Sequence, residues 1–507
     1  MKLVVLYSFI LAIVHSILFY GQKLGISVFL FTVTGLFFFI HLLKKYDKIK
    51  NKKALLISIP ILILSTTYFI FNNTLFNILN IIVILFLFLI MTVVSILGQL
   101  YPGRLIENFF VLFLGPLEEL PNSVKEVKNC FIKKQEKEEK NEKKELVKKI
   151  LKGVLISLPI VILVLILLSS ADEMFASLFK NIFKHLADLL DMESVFDLFA
   201  RIVIIVIITL YFVCMAIKIM KNQFVNTKGV MENKIKIEGT TTATLLTILN
   251  IIYLAFSIIQ IIHLKTDTIS NYANYARTGF FQLMTVSFIN FVVILVTKNN
   301  KKEIETNIKK YEKIMNVLLA VFTVVILITS IVRMNMYETA YGFTYLRIIV
   351  NIIQITELLL IIPTIIYIIK DKFNLIKWAL IISLGVYIIA NFVNIDYIIA
   401  KGNIDRYFKK GEERKNIDLY YLEENTSTDA LIEITRLLET KDEDLKIEVN
   451  NYLYDKYMEL MQDDVTFQNF NLSRKRAKEE LEKLNLHRIG EYLLDYNDLR
   501  LINDYEI

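Results

Sequence analysis

The sequence predicts an all-α fold: a polytopic transmembrane helix bundle of about 11 spans, with a C-terminal extramembrane helical domain. Three observations predict it. The chain is 55% hydrophobic over 507 residues, and its mean hydropathy is +0.51. A soluble domain must cover its surface with charge and rarely reaches that average. The charges are also gathered in blocks between apolar runs. Finally, those runs repeat at roughly the 20-residue length that a helix needs to cross a bilayer.

In chain order the spans are read at 3–20, 25–43, 54–71, 75–97, 150–169, 201–218, 244–263, 280–297, 314–333, 345–369 and 377–395. The first run, Leu3 to Tyr20, is long, has no small-x-small site at its end and is followed at once by another. It reads as an uncleaved span rather than a signal peptide. Phe109–Leu117 is too short to cross and is expected at the interface or as a re-entrant stretch.

Lysine and arginine give the orientation, because they accumulate in cytoplasmic loops. Lys44, Lys45, Lys48, Lys50, Lys52 and Lys53 follow the second span, and ten lysines lie between Lys125 and Lys149. The loops after the sixth, eighth and tenth spans are basic too, with Lys298, Lys301, Lys302, Lys309 and Lys310 in one of them. The alternate loops are poor in both residues, and Asn72–Thr74 has neither. The N-terminus is therefore expected in the cytoplasm and the C-terminal segment outside the cell, in a plasma membrane.

The remaining segments complete a four-part reading: N-terminal transmembrane helices (1–117), a charged cytoplasmic segment (118–149), the main transmembrane domain (150–400) and an acidic extracytoplasmic helical domain (401–507). Lys133–Lys149 contains Glu-to-Lys pairs four apart, which favour a solvated helix. Asp172–Asp197 carries Phe175, Phe179, Ile182, Leu186 and Leu190 on one helical face and is expected to lie along the outer leaflet. From residue 401 onward there are 17 Lys/Arg against 25 Asp/Glu, while the whole chain is +7. The overall basicity thus belongs to the cytoplasmic rim, where anionic lipid explains it without any nucleic acid. In the tail, Ser427-Thr428-Asp429 is a capping sequence before Leu431, Ile434, Leu437 and Leu438. A second periodic stretch runs from Leu445 to Met461, and a third begins after Asn471.

No cofactor and no metal site is read from the chain. Cys130 and Cys214 lie far apart in different surroundings, so neither a disulfide nor a metal set is indicated. There is no HExxH, no Walker loop and no GxSxG. Among polar residues inside spans, Glu357 stands out: a carboxyl at mid-span is costly unless neutral, paired or facing a cavity, which marks a functional position by default. Gln354 is its expected partner, and Gln260, Gln282, Asn290 and Asn391 read as interhelical hydrogen-bonding residues.

Several stretches have an unusual spelling for so Ile/Leu/Lys-rich a chain: "LLSSADEMFASLF" (167–179), "LNIIYLAFSIIQ" (249–260), "NYANYARTGFFQLM" (271–284), "SIVRMNMYETAYGFTYLR" (330–347), "NFVNIDYIIAKGNIDRY" (391–407), "IDLYYLEENTSTDAL" (417–431) and "FNLSRKRA" (470–477). In order and spacing they resemble the bacterial membrane families of domain of unknown function 4153 and 4173, over about residues 150–480. The resemblance implies a multi-pass membrane protein without an assigned activity. The topology above puts nearly all of these stretches on the outer face. The candidate functional residues are accordingly Asp172, Arg277, Arg333, Tyr337, Tyr341, Arg347 and Asp396, together with mid-span Glu357. Tyrosines at span ends also serve as interfacial anchors, and arginines there reach headgroups or bind carboxylate and phosphate. The expected partners are the bilayer and, through the outer face, an envelope protein or lipid headgroup. A scaffold, sensor or regulator is the favoured reading, ahead of a transporter built on Glu357 and of a membrane enzyme or lipid binder at the outer leaflet.

Overall fold

A computed structural model describes residues 2–120, 192–225, 237–265, 279–299, 306–370 and 372–489. Among these residues the secondary structure is helical throughout, with no strand. Ten helices are long and apolar enough to cross a membrane, and they fall on ten of the eleven expected spans. The eleventh, 150–169, lies outside the described residues, as do the charged stretch 133–149 and most of the proposed surface helix 172–197.

The chain forms two compact units. The first comprises Met1–Lys23, Leu30–Leu56 and Phe88–Thr227. It contains α1 (Lys2–Phe19), most of α2 (Ile26–Lys45), the end of α4 (Thr74–Leu97), α5 (Leu105–Phe113), α6 (Gly115–Glu118) and α7 (Met192–Lys221). Helix α7 absorbs residues 192–197, which the sequence assigned to the surface helix, into the span itself. Along α1, Val4, Ser8, Ala12 and Ser16 are buried at four-residue steps; small side chains at that spacing let helices approach closely. The Arg201 guanidinium stacks over the Tyr20 ring at 4.5 Å. The short α5 and α6 do not cross. Asn108 on α5 accepts from the Val225 amide at 2.9 Å, and the Lys218 ammonium packs on Gly115, 3.3 Å from Glu118.

The second unit comprises Leu24–Phe29, Ile57–Leu87 and Lys228–Ile507. It holds α3 (Ser58–Ile70), the start of α4, α8 (Gly239–Lys265), α9 (Phe280–Asn299), α10 (Thr306–Tyr341), α11 (Tyr345–Ile369) and α12 (Leu375–Phe392). The helices that follow are α13 (Ile395–Lys409), α14 (Leu419–Asn425), α15 (Thr428–Ile434), α16 (Glu443–Gln462) and α17 (Leu472–Glu482). The expected cap before α15 is present: Ser427 accepts from the Asp429 amide. Asn471 caps α17 in the same way, accepting from the Arg474 amide.

One hydrophobic cluster organises α13–α17. Ile399, Ile404 and Tyr407 of α13 meet Leu431 and Ile434 of α15, Leu445 and Leu453 of α16, and Ala477 and Leu481 of α17. The same cluster includes Phe76 of α4 and Ala390 of α12. The terminal helices are therefore not a tethered bead: they share a core with the ends of apolar helices. The Tyr407 hydroxyl closes this core with a 2.6 Å hydrogen bond to Thr440.

Candidate functional site

Four turns of the second unit meet at one end: Phe71–Asn73 between α3 and α4, Gly342–Thr344 between α10 and α11, Val393–Asn394 between α12 and α13, and Thr426–Ser427 before α15. Each is placed by local rules. Asn394 adopts the left-handed conformation (φ 50°) that Asn tolerates, and its side chain accepts from the Tyr397 amide to start α13. Asn73 accepts from the Phe76 amide at 2.9 Å and starts α4 in the same way. The result is to bury the first turn of α13, including Asp396, which is 0% exposed.

Asp396 Oδ2 accepts from the Ser427 hydroxyl at 2.5 Å and from Asn73 Nδ2 at 3.1 Å. Ser427 stands at the same time 3.2 Å from Asp429 Oδ2, which accepts from the Asn72 amide at 2.7 Å. Two buried carboxyls thus flank one serine hydroxyl. Asn73 Nδ2 also donates to the Tyr345 hydroxyl at 2.8 Å, and the Tyr345 amide donates to Tyr421 at 2.9 Å. Asp396 Oδ1 is buried without a hydrogen-bond partner among the described residues.

Burial dominates the proton affinity of this cluster. It pushes the Asp396 carboxyl up to about 6, with the charge of Asp429 adding to the rise and the bonds from Ser427 and Asn73 opposing it. Burial likewise raises Asp429 from the ordinary carboxyl range, against bonds from Ser473, Asn72 and Ser427. Tyr421 is pushed up to about 12, by burial first and the Asp396 charge second. A cavity of about 10 Å³ lined by Thr67, Asn73, Asn77, Asn391 and Asp429 adjoins the cluster, room for about one water. Among the described residues no group of three His, Cys, Asp or Glu is arranged to hold a metal ion. The chemistry on offer is uptake and release of a proton between two carboxyls.

The other candidates form separate groups. Arg347 donates to the carbonyls of Tyr341, at 3.1 Å, and Gly342, and its guanidinium lies 4.3 Å from the centre of the Tyr337 ring. Tyr337 in turn packs edge-on against Tyr341, with 5.0 Å between centroids. Arg406 of α13 binds the Ala340 and Asn416 carbonyls, and Asn403 brackets Phe343 by donating to its carbonyl and accepting from its amide. The α10–α11 turn is thereby fastened to α13, and Arg347 spends its guanidinium on backbone and ring. Arg347 and Asp396 both act electrostatically on Tyr421, so the structure brings these two candidates to one end of the unit.

Glu357 and Arg333 lie elsewhere. Glu357 is buried in α11 and hydrogen-bonds Ser287 of α9. Its sequence-expected partner, Gln354, instead donates to Ser330 of α10 at 2.7 Å. Gln354 and Glu357 lie three residues apart on one face of α11, yet Gln354 is engaged by α10 and Glu357 by α9. Arg333 donates to Gln260 at 3.0 Å and packs on Gly279 (φ 106°), the glycine of the "NYANYARTGFF" stretch. Asn290 joins Tyr253 and Thr323, and Asn391 joins Asn80, as interhelical partners, but Gln282 is exposed. Asp172, Arg277, Tyr272 and Tyr275 lie outside the described residues.

Sequence reasoning did not single out Asn72, Asn73, Tyr345 or Tyr421, and it treated Asp429 only as part of a cap. A usable signal existed in the paired asparagines of a three-residue turn between two apolar runs. The family model described as Domain of unknown function (DUF4153) matches residues 58–437. No curated protein and no solved structure matches the chain.

Proposed function

The chain belongs to the DUF4153 family and is an integral membrane protein of unassigned activity; from that premise we propose that it is a sensor or regulator of the bacterial cell envelope. In this reading it resides in the plasma membrane with the N-terminus in the cytoplasm. Helices α13–α17 form an extracytoplasmic platform for envelope proteins, and the state of the membrane bundle is coupled to that platform.

One observation carries the proposal: the platform is joined to the span ends through a buried proton-binding pair. Asp396 of α13 and Asp429 of α15 are bonded to Asn73 and Asn72, the residues that turn α3 into α4. A shared core plus a titratable lock suits a device that reports conditions from one region to the other. Glu357 is used for packing against Ser287, which gives the transporter reading less support. The described candidates also form three separate groups rather than lining one cavity, which gives the enzyme reading less support.

Sidedness and response test the proposal separately. Lys441 is 89% exposed on the platform, so Lys441→Cys, in a chain with Cys130 and Cys214 replaced, should react with an impermeant maleimide in intact cells. Reaction only after permeabilisation would overturn the extracytoplasmic assignment. Crosslinking partners at that cysteine should change between pH 5 and pH 7.5 in wild type and not in Asp396→Asn. A partner set that ignores both pH and the substitution would remove the sensor role.

A further inference from the structure

The loop between α16 and α17, residues 463–471, is pinned where two spans end. The Ile26 and Ser27 amides, at the first turn of α2, donate to the Phe470 and Gln468 carbonyls, each at 3.1 Å. Gly25 makes this approach possible, since a Cβ there would stand 2.6 Å from the Asn469 carbonyl carbon. Asn471 donates to the Tyr68 and Phe71 carbonyls at 2.9 and 2.8 Å, at the end of α3. Because α2 and α3 are spans, the loop is held at the level where lipid tails give way to headgroups.

At that level the loop exposes apolar side chains instead of hiding them. Val465 and Phe467 are each 68% exposed, and Leu24, just before α2, is 40% exposed. Beside them opens a cleft of about 100 Å³. Its lining includes Arg474, Lys475 and Lys478 of α17 together with Asp463 and Asp464 of the loop. Arg474 is steadied by a 3.2 Å bond from Nε to Asn72, and Lys475 has only a loose, exposed pairing with Glu479 at 3.8 Å.

We propose that this cleft binds the headgroup of a zwitterionic aminophospholipid such as phosphatidylethanolamine. The phosphate lies against Arg474, Lys475 and Lys478, the amine faces Asp463 and Asp464, and Val465 and Phe467 rest among the upper acyl carbons. A lining that holds both cations, from α17, and carboxylates, from the loop, complements a headgroup that carries both charges, where a purely anionic headgroup would meet the aspartates unfavourably. The exposed apolar rim supplies the part of the site that only a membrane-borne ligand fills, which separates a lipid from a soluble phosphoamine. Asn72 links Arg474 of this site to Asp429 of the buried pair, but the headgroup contacts proposed here use neither buried carboxyl.

Native mass spectrometry of the full chain released from mixed-lipid nanodiscs tests this. Wild type should retain phosphatidylethanolamine about tenfold better than phosphatidylcholine or phosphatidylglycerol. Lys475→Gln with Lys478→Gln should lower retention about tenfold by removing two charge-assisted contacts, and Asp464→Asn should erase the preference over phosphatidylglycerol. Val465→Ser with Phe467→Ser should weaken retention of all lipids while keeping the headgroup order. Indifference of wild type to headgroup would overturn the proposal whether or not a variant folds. So would retention of soluble phosphoethanolamine equal to that of the lipid, or normal retention in the double lysine variant.

Discussion

Replacing Asp396 by asparagine should remove most of the pH dependence of how firmly α13–α17 hold to the span ends. In wild type the carboxyl is moved from an ordinary 3.8 to about 6. The folded cluster therefore keeps its proton at pH values where an undocked chain has lost it. The associated stabilisation is complete below about pH 3.8 and is lost as pH rises through about 6. A displacement of that size corresponds to on the order of 3 kcal/mol, and the 0% exposure of Asp396 leaves solvent little opportunity to screen it. Asp429 is shifted the same way and shares Ser427, so the two titrate as a pair and the transition is broad. Tyr421, held near 12, stays neutral throughout.

Asparagine keeps the acceptor toward Ser427 and Asn73 but places an amide nitrogen where the unpartnered Oδ1 now sits. That substitution costs about 1–3 kcal/mol at low pH and has no slope of its own. Hydrogen exchange of α13 and α15 in nanodiscs measures both effects, with exposed peptides correcting for the intrinsic pH dependence. Opening in wild type should be roughly 30-fold more frequent at pH 7.5 than at pH 4.5. In Asp396→Asn the change should fall well below the wild-type slope, leaving the part that Asp429 carries. Equal protection of wild type at the two pH values, or a wild-type slope in the variant, would refute the reasoning.

Other substitutions probe the rest of the architecture. Gly25→Ala forces a methyl into the Asn469–Phe470 backbone and should cost about 1–3 kcal/mol; limited proteolysis should then cleave within 463–471, and an unchanged digestion pattern would contradict the close approach. Glu357→Gln preserves the bond to Ser287 and should shift stability by less than about 1 kcal/mol, whereas Glu357→Leu removes this link between α11 and α9, leaving the Ser287 hydroxyl on the Met284 carbonyl at 2.7 Å, and should lower the melting temperature measurably. Arg347→Lys loses the paired carbonyl bonds and the planar stack on Tyr337, for about 1–2 kcal/mol, visible as faster exchange around Gly342. Tyr407→Phe removes the hydrogen bond to Thr440 and should cost about 1 kcal/mol in thermal unfolding without moving the pH profile.

The spans were legible because each rests on a local quantity. A run of some 20 apolar residues has to be a helix in lipid, where every backbone group must be satisfied within the segment. For that reason ten helices fall where hydropathy put them, and α15 begins at the capping residue read from the chain. Asp396 was legible as a candidate because an acid just past a span is conspicuous. Its partners were not: Asn72 and Asn73 are some 320–360 residues away in sequence from Asp396 and Asp429, and their pairing in a short turn marks the turn without saying which acids it meets. The Gln354–Glu357 pairing failed for the converse reason. Closeness along a helix was taken for contact, when the two side chains are engaged by different helices.

By itself the sequence determined that this is a helical membrane protein with a polar tail, since composition and run length settle how each segment meets lipid or water. Only the tertiary structure decided that the tail is fused to the span ends rather than tethered beyond them. It also made a buried carboxyl pair out of two acids from different helices, and it pinned the 463–471 loop to the start of α2 and the end of α3. Each of these outcomes depends on which surfaces meet, and burial and proton affinity follow from that packing, which no single stretch of the chain encodes.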